Sequence, residues 1–155
     1  MTALFTPSRR HALALSAGAL MLLAVVAPAL GQSWRSDGAV AGFTAGAGFT
    51  GLTFRCASAG RVTVRFSGFP GRLQAGQAHT VVATVDDTAF VLEAIARDAG
   101  SGSILVAEGA LAARAAFIEA LRKGRSVEVA GPVGRYSLPL TGSGDALAAF
   151  TKGCG

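Results

Sequence analysis

The residues able to do chemistry in this 155-residue chain are few and widely separated. Two cysteines occur, Cys56 and Cys154, 98 positions apart. The two histidines are His11 and His79. Zinc centres take their ligands in short pairs of the C-x2-C or H-x3-H kind, and no such pair is present. Nucleophilic hydrolysis through a Ser-His-Asp set would have to run through His79, with Asp86 or Asp87 as the acid and Ser101 or Ser103 as the nucleophile. None of the serines stands in a Gly-x-Ser-x-Gly elbow, and Gly142-Ser143-Gly144 reads as a turn into a helix. His79 opens a β-branched run, and a histidine there is expected at the solvent surface.

Two further patterns invite a ligand and fail on context. Gly46-Ala47-Gly48-Phe49-Thr50-Gly51 spells GxGxxG. That fingerprint binds a dinucleotide only between a strand and the N-terminus of a helix, where backbone N–H groups meet the phosphates. Here a strand is expected after it and none before. Asp86-Asp87 offers two hard oxygen ligands of the kind calcium takes, but no further acids follow at loop spacing. Aspartates at a hairpin tip serve the turn itself. The sequence therefore yields no catalytic, cofactor or metal site, and no cofactor is expected.

The cysteines carry more information when set beside the N-terminus. Met1 to Arg10 ends in two arginines, Ala12 to Ala29 is uncharged and mostly Ala, Leu and Val, and small residues follow in Ala27-Pro28-Ala29-Leu30-Gly31. This is the layout of a secretory signal peptide over residues 1–31, cut after Ala29 or after Gly31. Ser8-Arg9-Arg10-His11-Ala12-Leu13 partly matches a twin-arginine motif, so both export routes stay open. An uncleaved anchor is the alternative, since the uncharged stretch is about long enough to span a bilayer. An even cysteine count in an exported chain reads as a disulfide, Cys56–Cys154. The expected location is periplasmic or secreted.

Composition then bounds the partners. The whole chain carries +5, and loss of Arg9 and Arg10 with the signal leaves +3, twelve basic against nine acidic residues. A mildly basic exported protein meets acidic envelope proteins, anionic envelope polymers or lipid headgroups rather than nucleic acid. No stable membrane insertion is expected after signal cleavage.

The elements that must position these residues follow from periodicity. Leu52, Phe54 and Cys56 alternate with Thr53 and Arg55, and Val62, Val64 and Phe66 alternate with Arg61, Thr63 and Arg65. Both runs read as half-buried strands joined as a hairpin, with Phe54 expected opposite Val62, Leu52 opposite Val64 and Arg55 opposite Arg61. Arg55, Arg61 and Arg65 would form a basic stripe on its outward face, the one candidate binding surface. Residues 32–51 hold five glycines and read as an extended lead-in, with Trp34 packing over a hydrophobic edge. Further strands are expected at 79–85, 90–97, 104–107, 126–129 and 135–140, the second with enough Ala and Glu to leave a helix open. Leu111, Ala115, Phe117, Ile118 and Leu121 fall at helical spacing, and Gly124 stops that helix. A last helix spans 146–152, capped by Ser143 or Asp145.

Cys56 after an early strand, Phe117-Ile118-Glu119-Ala120-Leu121-Arg122-Lys123-Gly124, and Leu140-Thr141-Gly142-Ser143 followed by Ala146-Leu147 and Cys154 form an ordered set. That set resembles two kinds of small exported proteobacterial envelope protein, the invasion-associated locus B family and the periplasmic accessory protein of type VI secretion clusters. The resemblance implies an exported β-rich domain and brings no enzymatic residue with it. The resulting expectation is an α+β fold over residues 52–155, mainly an antiparallel sheet or small sandwich, with one mid-chain helix and a disulfide-tethered C-terminal helix. The expected role is non-enzymatic contact with proteins or the envelope; a small envelope hydrolase or hydrolase inhibitor is the alternative.

Overall fold

Period-two alternation dominates the chain from Gln32 to Pro139 and builds nine strands: β1 Gln32–Ser36, β2 Val40–Ala45, β3 Gly48–Ser58, β4 Arg61–Phe66, β5 Ala78–Val85, β6 Thr88–Asp98, β7 Ser103–Ala110, β8 Ser126–Gly131 and β9 Gly134–Pro139. The structure is a computed structural model and describes residues 31–100 and 102–155. The expected signal sequence, apart from Gly31, and the candidate Ser101 lie outside the described residues. Among those described, no helix is long and apolar enough to cross a membrane.

All nine strands join one antiparallel sheet in the order β1-β2-β3-β4-β7-β6-β5-β8-β9. The two edges of this sheet meet. Trp34 of β1 donates its indole N–H to the Pro139 carbonyl at 2.9 Å, and its backbone N–H points at Thr141 O, 3.4 Å away. The sheet is therefore rolled, with an inner face that forms the core and an outer face toward solvent. Leu52, Phe54, Val62, Val64, Phe66, Leu105, Val127 and Val129 are buried on the inner face.

Two helices close one rim of the roll. A single 3-10 turn, Ala112–Arg114, leads into α1, Ala115–Lys123, and α2 spans Ser143–Cys154. Phe54 meets Phe117 of α1 at 5.9 Å and Phe150 of α2 at 6.0 Å between ring centroids, which ties both helices to the centre of the sheet. The opposite rim is made of turns. The segment 67–77 crosses it from β4 to β5, and Phe69 lies so close under Gly131 that a Cβ there would sit 2.9 Å from the ring.

The α+β architecture matches the sequence expectation, and three details differ. Residues 32–51 are extended but not loose: they supply β1, β2 and the first part of β3. Asp37 Oδ1 accepts from the Ala39 and Val40 N–H groups and closes the turn between β1 and β2. Gly42 is required by packing, since a Cβ there would lie 2.8 Å from Leu52 O. The first hairpin is also shifted by two residues. Phe54 pairs with Val64, Leu52 with Phe66 and Arg55 with Thr63, because β3 runs on to Ser58, past a bulge, before turning at Gly60. A two-residue shift preserves side-chain parity, so the apolar residues still share one face. It also moves Arg55 away from direct opposition to Arg61, relieving a like-charge pair.

Residues 88–98 form β6, the strand expected at 90–97, and it is paired on both sides. Helix α2 starts earlier than expected and has no side-chain cap; Gly142 with φ 84° stands at its N-cap. The Ser143 hydroxyl lies 2.7 Å from both Leu121 O and Leu140 O, and so ties α2 to the end of α1 instead of capping the helix.

Candidate functional site

The disulfide sits at the helix rim. Cys56 and Cys154 are bonded, with Cα atoms 5.5 Å apart. The end of α2 docks on two turns at once: Gly60 donates its N–H to Cys154 O at 2.8 Å, and a Cβ on Gly153 would lie 2.5 Å from Gly38 O. Only glycine fits at Gly153, and the cross-link holds this close approach in place. The environment is structural: neither cysteine is a free thiol.

The residues weighed for hydrolysis do not converge. His79 is half-buried, on the inward side of β5 with Val81, Ala83 and Val85. Its parity along the strand decides this. Its Nε2 is buried without a hydrogen-bond partner. Asp86 and Asp87 follow the far end of the same strand, roughly 20 Å away at strand rise. The Asp86 carboxylate accepts from the Arg125 and Ser126 N–H groups and braces the start of β8. Asp86 also takes φ 49°, which aspartate tolerates in tight turns. Ser103 is buried, and its hydroxyl bonds both the N–H and the carbonyl of Leu73. No group of three or more His, Cys, Asp or Glu comes together among the described residues as a metal site. The GxGxxG run forms the β2–β3 turn and the start of β3; a strand does precede it, contrary to expectation, and a strand follows in place of a helix.

Tyr136, the only tyrosine, is the one phenol held by the core. Its hydroxyl donates to Gly51 O at 3.0 Å across the roll, and its ring stacks at a tilt on Phe69. Burial pushes its pKa well above the ordinary value of 10.0. The unfolded chain therefore loses this proton first, and folding stability falls as pH rises above about 10. Absorbance of phenolate at high pH should appear only as the protein unfolds, whereas Tyr136→Phe should flatten the alkaline slope of stability. Phenolate forming in folded protein near pH 10 would contradict the assignment.

The outer face carries the charge. Strands β1 to β4 hold four arginines, Arg35, Arg55, Arg61 and Arg65, and not one acidic residue. Register places them on one surface: Arg35 pairs with Gly42, Gly42 with Thr53, Thr53 with Arg65, and Arg55 lies beside Thr63. Arg35, Arg55 and Arg61 are exposed and Arg65 is half-buried. None of the four guanidinium groups has a hydrogen bond or ion pair among the described residues; the ion pairs there are Arg122–Glu119, Lys123–Glu119 and Arg135–Glu128. The structure thus brings the three arginines of the stripe together and adds Arg35. That residue escapes the sequence reading because it lies in the glycine-rich lead-in, and its alternation with Trp34 is the signal that would have found it.

On the other half of the outer face, Glu93, Arg97, Glu108 and Arg114 surround Ile95 and Val106 in a shallow hollow. Its two acids and two bases balance. The basic character of the outer face is therefore confined to β1–β4. No known protein family, no curated protein and no solved structure matches this chain.

Proposed function

We propose that the protein is exported and acts without catalysis in the periplasm or outside the cell, by docking an acidic envelope protein or an anionic envelope polymer on the outer face of β1–β4. The observation that carries this reading is the set of four unpaired arginines on a strand quartet devoid of acids. Guanidinium groups without internal partners keep their fork of donors for carboxylate or phosphate oxygens. Thr53 and Thr63 stand between them as further donors. The export part rests on the signal-like residues 1–31 and on a disulfide, which persists in oxidising compartments. The hydrolase alternative draws nothing from the geometry of His79, whose Nε2 faces the interior.

Binding to fluorescent poly-glutamate tests the surface. The protein should bind it at low salt and release it as ionic strength rises. Arg55→Glu/Arg61→Glu/Arg65→Glu should bind at least about tenfold more weakly, through loss of the local positive field. Its melting temperature should stay close to the parent's, since these side chains hold no internal hydrogen bond or ion pair among the described residues. Equal binding by parent and variant would remove the basic face as the site.

A further inference from the structure

We infer that the turn rim of the rolled sheet seats on an anionic lipid bilayer. The inference concerns a different part of the molecule from the arginine face, although Arg65 lies at the border of both. Two independent observations converge on this rim, and the position of Gly31 agrees with them.

The two rims differ in charge balance: the helix rim mixes its acids with Arg61, Arg114, Arg122, Lys123, Arg125 and Lys152, whereas the turn rim holds arginines against a single acid. Asp37, Asp86, Asp87, Glu119 and Asp145 lie in the turns and helices of the helix rim, and Glu93, Glu108 and Glu128 lie along strands. Asp98 is the one acid at the turn rim, where its carboxylate accepts from Gly100 N–H. The same rim carries Arg65 near the end of β4, Arg72 in the crossing segment, Arg97 near the end of β6, on the strand that also bears Glu93, and Arg135 near the start of β9, paired with Glu128 at 3.7 Å. Arg72, Arg97 and Arg135 are exposed. An arginine near an anionic membrane surface gains roughly fivefold in affinity, so a rim with this excess is selective for anionic headgroups.

The rim also presents an uncharged apolar tip. The β2–β3 turn and its flanks read Ala45-Gly46-Ala47-Gly48-Phe49, all exposed, with Phe49 at 41%. Phe49 and Val91 are the large apolar side chains left exposed among the described residues. An aromatic ring on a small-residue tip can enter the headgroup layer, while the arginines around it stay with phosphate.

The chain itself enters here. Gly31 O accepts from Gly46 N–H at 3.1 Å, so the described structure begins against the apolar tip. The residues directly before it, Ala12 to Leu30, bear no charge. If residues 1–31 stay attached as an uncleaved anchor, the chain joins the domain at the turn rim.

Hydrogen exchange on the full chain tests the seat, with vesicles of pure phosphatidylcholine compared with vesicles containing phosphatidylglycerol. The apolar N-terminal sequence is present in both arms, so the difference between them isolates the rim. Peptides covering 45–49 and 67–77 should exchange about tenfold more slowly on phosphatidylglycerol, and peptides covering 37–39 and 86–88 should not change. About 0.5 M salt should abolish the difference by screening. Arg72→Glu/Arg97→Glu should abolish it too, while leaving poly-glutamate binding by the β1–β4 face intact. Equal exchange on the two vesicles would overturn the inference. So would protection at the helix rim, or equal protection of the rim without vesicles, which would mark contact between copies of the chain.

Discussion

Cys56→Ser should lower the melting temperature of the oxidised protein by about 15 °C. The cross-link closes a loop of 98 positions, and constraint of the unfolded chain by such a loop is worth about 4–5 kcal/mol. The structure adds a local reason. Helix α2 has 12 residues, a length that is marginal in isolation, and its last turn ends on the Gly60 N–H and against Gly38. Without the bond, the Cys154 end is free to fray and the inner face beneath it is exposed to water. Reductant added to the parent protein should give the same shift, and Cys56→Ser/Cys154→Ser should add little to either single change. A melting temperature unmoved by reductant would show that α2 is held by packing alone.

Phe54→Ala should destabilise the domain by about 3–5 kcal/mol, read as a lowered urea midpoint with an unchanged slope. Phe54 is fully buried on the inner face and touches the rings of Phe117 and Phe150, so it is the point where sheet, α1 and α2 meet. Truncation leaves a cavity lined by three elements that cannot collapse onto it together. Phe54→Leu should retain most of the stability, because it refills much of that space. A loss near 1 kcal/mol for Phe54→Ala would mean that the helices close over the gap.

The strands were largely legible because alternation is a local property of the backbone. Val62, Val64 and Phe66 face the core, and Arg61, Thr63 and Arg65 face out, whatever the neighbouring strands are. Residues 32–45 were less legible. Their strands are built mostly from Gly, Ala, Ser and Thr, whose small side chains give little hydrophobic contrast, and Trp34, Val40 and Phe43 are the larger side chains buried there. The hairpin register lies two residues from the one alternation suggests, because a bulge near Cys56 is set by pairing geometry that composition does not reveal.

The helix starts show the same division. Gly124 stops α1 where the sequence places a stop, since a helix end is written locally. Ser143 looked like a cap and is not one: its hydroxyl is taken by carbonyls of Leu121 and Leu140, one of them 22 positions away in the chain. His79 stands at the head of a strand, yet it shares the parity of Val81, Ala83 and Val85 and so lies half-buried on the inward side.

The sequence by itself determined which side chains face inward along each strand, the pairing of the two cysteines and the spacing of three arginines. These follow from the two-residue period of a strand and from there being only one partner for each thiol. Tertiary structure alone decided that β4 lies beside β7 and not β5, that Trp34 joins the two sheet edges, and that Arg35 lies on the same acid-free face as Arg55, Arg61 and Arg65. Such decisions depend on how nine strands share one core, and no local stretch of residues contains that information.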